Sequence, residues 1–136
     1  MILYDEDYVA WIQQQAALLR SMLDHGDLDI SNLIDEIEGL GRSAIAELSA
    51  CIRRILSGLI DMSLEPGAIS AEDIYSAQSD ALIRADGGVW RHVDLDKTWR
   101  LSVRSMPGFP DRCPLTIEQL LSEDFNVDQA LALIRS

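Results

Sequence analysis

Cysteine, positive charge and long apolar runs are all scarce in this sequence. The chain has two cysteines, Cys51 and Cys113, and neither belongs to a Cys-x-x-Cys pair. This excludes a disulfide scaffold and a cysteine-ligated zinc site. No apolar run reaches the roughly 20 residues that a membrane-spanning helix needs. The start, from Met1 to Asp7, is acidic and has no basic leader. A signal peptide is therefore not expected, and the cytoplasm is the predicted location.

The shortage of positive charge is uneven along the chain. There are 11 basic and 23 acidic residues, for a net charge of −12. Residues 1–40 hold nine acids and one base, a net of −8, and the other residues have a net of −4. This surface repels phosphates, so nucleic-acid binding is not expected. It suits a basic protein partner or a cation, although charge of one sign also serves solubility.

Apolar residues recur at helical spacing in the first half of the chain. The pattern predicts a first helix from Asp5 to Asp24, capped by Asp5 and followed by Gly26. A second, long helix is predicted over 30–63 with Asp29 as its cap. Gly39 and Gly41 interrupt this stripe, so the long helix is expected to run on with a possible bend.

Shorter elements follow the breaker pair Pro66-Gly67. A third helix is predicted from Ser70, its cap, to Ala85. Residues 89–105 fit a strand and a helix equally well, and 106–114, with three of the four prolines, are expected to be irregular. Two last short helices are predicted from their capping residues, which are Thr116 with Gln119 and Asn126 with Gln129. The prediction is an all-α helical bundle built around the long helix, as a single domain over residues 1–136.

Three blocks of sequence are similar to a known family. They read Tyr4-Asp5-x-Asp7 with Trp11 and Gln15, then Asp29-x-x-Asn32-Leu33 with Glu36, Glu38 and Gly41, and finally Cys113-Pro114 with Gln119, Leu120, Asp124 and Phe125. Together they resemble the bacterial family of unknown function number twenty-nine. The resemblance implies an all-helical structure and favours a helix for residues 89–105. It implies no particular activity.

Acidic side chains give the sequence its candidate metal ligands. Asp35, Glu36 and Glu38 lie close together on the long helix, where Asp35 and Glu38 share a face. Helical bundles that bind metals pair such acids with Glu-x-x-His motifs, and this chain has none. A solvated helix face with one ion pair to an arginine is therefore preferred, and no cofactor is predicted.

A nucleophilic enzyme would need a Ser or Cys held beside a base. No Gly-x-Ser-x-Gly elbow is present, and Cys113 before Pro114 is more typical of a small buried residue at a turn. The aromatic residues are interpreted as core, and one hypothesis packs Tyr4 against Phe125. No catalytic residue is predicted.

Three functional hypotheses remain open. The preferred one is a non-enzymatic acidic module that binds another protein, because concentrated charge steers oppositely charged partners. The alternatives are an antitoxin-like inhibitor of a basic partner and an enzyme that uses carboxylates with a metal. A homodimer is also expected, since the long amphipathic helix needs more cover than a few short helices provide.

Overall fold

A computed structural model describes residues 2–22, 26 and 28–136, and the regular elements within those ranges are all helices. No strand occurs within those ranges. The helices in chain order are α1 (Ile2–Glu6), α2 (Tyr8–Arg20), α3 (Ile30–Leu64), α4 (Ala71–Arg84), a 3-10 segment (Asp86–His92), α5 (Leu95–Val103), α6 (Ile117–Leu120) and α7 (Val127–Arg135). The predicted all-α architecture around one long helix is confirmed.

Helix α3 is a single 35-residue helix, one residue longer than predicted at its carboxyl end. Asp29 caps it through a hydrogen bond from the backbone N–H of Asn32. The two glycines do not break it. A Cβ added to Gly41 would lie 3.6 Å from Ile12, an ordinary contact, so the packing of α2 on α3 does not require a glycine there.

The predicted first helix, from Asp5 to Asp24, is wrong at its start. The chain forms the short helix α1, turns at Asp7 and begins α2 at Tyr8. Asp7, rather than Asp5, is the cap, and its carboxylate accepts a hydrogen bond from Ala10 N–H at 3.0 Å. An acid at either position satisfies the sequence pattern, and tertiary contacts decide between them. The predicted end of this helix falls on Leu23 and Asp24, which lie outside the described residues.

The ambiguous stretch 89–105 contains no strand. The 3-10 segment ends at His92, and α5 begins at Leu95 with Asp94 as its cap. The segment follows α4 through Gly87 and Gly88, whose φ angles are +73° and +74°. Residues other than glycine adopt this left-handed conformation at a cost, so the pair ends α4 where the sequence predicted.

The core forms around the carboxyl-terminal two thirds of α3. Helices α4, α5 and α7 pack on it, and the buried side chains include Leu48, Ile52, Ile55, Leu59 and Trp99. A second, small cluster of Ala16, Ile30 and Ile34 holds α2 against the start of α3. Helices α2 and α3 thus form a hairpin whose end has a core of its own. None of the described helices combines the length and hydropathy that a bilayer span requires.

Gln78 is a buried amide that joins α4 to the end of α6. Its side-chain Nε2 donates to the carbonyl oxygens of Leu120 at 3.1 Å and Ser122 at 2.8 Å. We expect Gln78→Leu to lower the free energy of unfolding by about 1–3 kcal/mol, because two carbonyls lose their donor in a buried site. Urea unfolding measures this effect. Ser79→Leu, at an exposed position one residue on, is the control. Equal stabilities for the two variants would contradict the role given to Gln78.

Candidate functional site

The three candidate metal ligands do not converge on a pocket. Asp35 and Glu36 are exposed, and Glu38 forms an ion pair with Arg20, whose Nη2 lies 2.7 Å from Oε1. Within the described ranges, no group of three or more His, Cys, Asp or Glu side chains is placed to hold a metal ion. His25 lies outside those ranges. The structure thus pairs one of the three acids with an arginine and leaves the other two exposed.

Cys113 is a partly buried residue at the end of the irregular segment. Its backbone N–H donates to Asp96 Oδ1 at 3.0 Å, which ties the segment to α5. Burial, together with the negative charge of Asp96, raises the pKa of the Cys113 thiol to about 11, against the opposing effect of the Leu115 N–H. The thiol is therefore protonated at neutral pH and is a weak nucleophile.

Asp7 and His92 form a contact that sequence reasoning missed. His92 Nε2 lies 2.8 Å from Asp7 Oδ1, and the guanidinium of Arg91 lies 3.9 Å from Oδ2. Arg91 also donates to the carbonyl oxygen of Glu6 at 2.6 Å and covers the Trp90 ring. The 3-10 segment thus holds the turn between α1 and α2. These contacts join the 3-10 segment to Glu6 and Asp7, so we interpret the role of the group as fastening the amino-terminal segment.

The charge on Asp7 gives the fold a pH dependence. Partial burial raises the pKa of Asp7, but the Ala10 N–H, the His92 ring and the Arg91 guanidinium outweigh it, so the pKa lies below the usual value. A carboxyl whose pKa is lowered on folding stabilises the protein above its unfolded-state pKa of about 4. That contribution is lost as the pH falls through the folded-state pKa.

We expect Asp7→Asn to be less stable than the wild type at neutral pH and to approach it in acid. Asparagine caps a helix about as well as aspartate, so the variant removes the charge and keeps the cap. Asp7→Ala should lose about 1 kcal/mol more, because it also removes the cap. Urea unfolding of the three proteins between about pH 3 and pH 7 tests this. Parallel curves for Asp7→Asn and the wild type would show that the Asp7 charge does not stabilise the fold.

The aromatic side chains fall into separate groups. Tyr4 packs edge-on against Trp11, with ring centroids 4.8 Å apart, and against Tyr8 at 5.8 Å. Phe125 packs edge-on against Tyr75 at 5.9 Å. The hypothesised contact between Tyr4 and Phe125 does not occur among the aromatic pairs of the described residues. Tyr75 also accepts a hydrogen bond from Val127 N–H at 3.1 Å, so this pair holds the start of α7.

One face of α3 is left uncovered along the whole helix. Its residues recur at alternating spacings of three and four, which is the spacing of a seam between two packed helices. We call it the outer face, and it consists of Leu33, Glu36, Leu40, Ser43, Glu47, Ala50, Arg54, Ser57, Asp61 and Leu64. All are exposed except Ser57, which is half-buried. Leu40 and Leu64 are 56% and 59% exposed, so apolar side chains meet solvent toward both ends of the face.

The carboxyl-terminal half of the outer face forms the floor of an open groove beside α5. Its lining includes Ala46, Ala50 and Ser57 of α3 with Thr98 and Leu101 of α5, and its volume is about 510 Å³. Arg53 and Arg54 also line it. The groove therefore offers apolar contact, from its small side chains and Leu101, together with the positive charge of the two arginines.

The comparisons with known proteins place the chain in a family. The model of the family described as "Domain of unknown function DUF29" matches residues 3–80. The chain belongs to the DUF29 family. It is also similar to the crystal structure of an alpha-helical protein of unknown function from Rhodospirillum rubrum. The TM-score is 0.79 and the identity 27%, over 95% of each chain. No curated protein has a significantly similar sequence.

The positions that resemble the DUF29 signature divide into two groups in the structure. Most have a structural task. Asp7 and Asp29 cap helices, Gly41 is buried against Ile12, and Gln119 completes a capping box with Thr116. Two others, Leu33 and Glu36, are exposed on the outer face. Leu33 and Glu36 therefore lie on the same helix face as the groove, which makes the outer face the candidate functional site.

Proposed function

We propose that this chain is a non-enzymatic protein-interaction module and that the outer face of α3 is its binding surface. The observation that carries the proposal is the continuous exposure of that face, with Leu33, Leu40 and Leu64 in contact with solvent. Because these leucines are only about half exposed, burying one against a partner contributes about 1 kcal/mol, roughly half of the value for a fully exposed leucine. The three leucines and the groove between Leu40 and Leu64 therefore make it favourable for another helix to cover this face.

Charge on the outer face sets the chemistry of a partner. The amino-terminal half of α3, over 30–47, carries four acids and one base. Asp35, Glu36 and Glu47 are exposed there, so a partner segment that combines basic and apolar residues fits this half. The same exposed acids support the second candidate, an antitoxin-like inhibitor that covers a basic surface of its target.

Blocking the outer face at its middle tests the proposal. In Ala50→Arg, a long charged side chain replaces an exposed methyl at the floor of the groove. We expect the variant to stay folded and to lose its protein partner, because the close approach of a second helix is prevented. The matched control is Ser79→Arg, which adds the same side chain at an exposed position on α4. Binding is measured at low salt with each tagged protein, and self-association is measured in parallel.

The result that supports the proposal is a partner retained by the wild type and Ser79→Arg and lost by Ala50→Arg. That partner is identified and the binding repeated with both proteins purified. A second copy of this chain counts as a partner. If Ala50→Arg changes neither self-association nor the retention of any protein, the outer face is not a binding surface.

A further inference from the structure

We propose that a second copy of this chain covers the outer face, with the two α3 helices packed antiparallel about a twofold axis. This inference rests on the proposed function, since it names the partner of the same surface. Three features of α3 support it, which are the distribution of its charges, the shapes of its two halves and the small residues between them.

The charges along α3 are self-complementary when the helix is reversed. Residues 30–47 have a net charge of −3, and residues 48–64 have a net charge of +1 from Arg53, Arg54 and Asp61. In an antiparallel pair, the acidic half of each copy lies on the arginine-bearing half of the other. A parallel pair would place each acidic half against its own equivalent, and like charges in contact oppose association.

One register satisfies the apolar and the charged residues together. With the helices crossing near residue 45, Glu36 lies opposite the partner's Arg54, and Leu40 lies opposite the partner's Ala50 on the floor of the groove. Leu33 then lies opposite the partner's Ser57. Because the axis is twofold, each of these pairs occurs twice. Two of the exposed leucines of the outer face are thus covered by the partner's groove.

The two halves of α3 also differ in shape in a way that fits this pairing. The amino-terminal half belongs to the narrow hairpin with α2, which has only the small core of Ala16, Ile30 and Ile34. The carboxyl-terminal half is the floor of the groove beside α5. An antiparallel pair lays the narrow end of each copy in the groove of the other, where Leu101, which is 39% exposed, becomes covered.

Small side chains at the middle of the face allow the helices to approach closely. Ser43, Ala50 and Ser57 follow one another along the seam, and Ala46 lies beside them in the groove. Such residues permit an interaxial distance near the lower end of the usual range of about 8–10 Å. At about 1.5 Å per residue, α3 is roughly 50 Å long, which provides a seam along the whole hairpin and groove.

Sedimentation equilibrium over a concentration series tests the pairing with charge-reversed variants. We expect the wild type to reach about twice the chain mass of 15.1 kDa. Glu36→Arg alone and Arg54→Glu alone should each weaken the dimer about tenfold or more, because each places like charges together twice. Mixing the two variants in equal amounts should restore association, since one charge pair then re-forms with reversed sign and the other with its original sign.

Controls separate this result from loss of folding and from the proposed function. Arg54 forms an ion pair with Asp80 in its own chain, with Nη1 3.2 Å from Oδ2, and exposed pairs of this kind contribute only about 0–1 kcal/mol. The Arg54→Glu monomer should therefore keep its helical circular dichroism. Glu123→Arg makes the same charge change as Glu36→Arg at an exposed position outside α3 and should leave the dimer unchanged.

A wild type that stays at 15.1 kDa at every concentration would overturn the dimer. So would a mixture that associates no better than either variant alone. In both cases the proposed function stands if Ala50→Arg still abolishes binding of a different protein, and it falls with the dimer if no binding depends on the outer face.

Discussion

Trp99→Ala is expected to lower the free energy of unfolding by about 3–5 kcal/mol, the usual cost of removing a fully buried tryptophan. The Trp99 side chain is 0% exposed and lies in the core where α5 meets α3. Its indole Nε1–H also donates to the carbonyl oxygen of Pro110 at 2.8 Å, and its ring packs edge-on against Phe109. The substitution therefore leaves a cavity and also removes the hydrogen bond that ties α5 to residues 106–114. Urea unfolding followed by circular dichroism measures the loss.

Trp99→Phe keeps this test informative if the alanine variant does not fold. Phenylalanine preserves most of the buried ring but cannot donate to Pro110, so a smaller loss is expected, with the hydrogen bond contributing about 0.5–1.5 kcal/mol of it. Trp90→Ala is the matched control, because Trp90 is only partly buried. If Trp99→Ala cost no more than Trp90→Ala, the core would not be centred where α5 meets α3.

Gly88→Ala is expected to detach the amino-terminal segment from the 3-10 segment. An ideal Cβ at Gly88 would overlap the carbonyl oxygen of Glu6 and come within 3.1 Å of Asp7 Cα. Both are backbone atoms, so no side-chain rotation relieves the clash. The φ angle of +74° adds about 1–2 kcal/mol of conformational strain for a residue with a Cβ. The total loss should exceed about 2 kcal/mol.

Gly67→Ala separates the clash from the strain. Gly67 also has a positive φ, of +95°, but nothing lies within 4 Å of its added Cβ. It should therefore lose only the strain component, and Gly88→Ala should be the less stable of the two. Amide hydrogen exchange gives a local readout, with faster exchange expected over residues 2–12 of Gly88→Ala while the middle of α3 stays protected. Equal stability and unchanged exchange would show that the amino-terminal segment does not depend on this contact.

Local signals in the sequence predicted the helices well. The caps Asp29, Ser70, Thr116 and Asn126 each bond to a backbone N–H three residues on, so the information lies within one turn of helix. The start of α2 was predicted wrongly because Asp5 and Asp7 satisfy the same local rule. Contacts of Asp7 with His92, 85 residues away, decide between them, and no local pattern contains that information.

The candidate site was only partly accessible from the sequence. Periodicity identified an apolar stripe on α3 and predicted that it needs cover, but it could not say which part the other helices leave open. The sequence made Asp35, Glu36 and Glu38 candidate metal ligands because they are close together on one helix. In the structure Glu38 is paired with Arg20, and Asp35 and Glu36 are exposed to solvent. The groove beside α5 depends on where residues 95–103 pack, and that is a property of the tertiary structure.

Site-specific photocrosslinking tests the central claim most directly, because it asks which face of the folded protein touches another protein. A photoreactive amino acid replaces Glu47 on the outer face in one sample and Ser79 on α4 in a second. Both positions are exposed, so neither substitution disturbs the core. We predict a crosslinked adduct from position 47, with a second copy of the chain or with another protein, and none from position 79. Adducts from position 79 alone, or from neither position, would contradict the claim that α3 presents the binding surface.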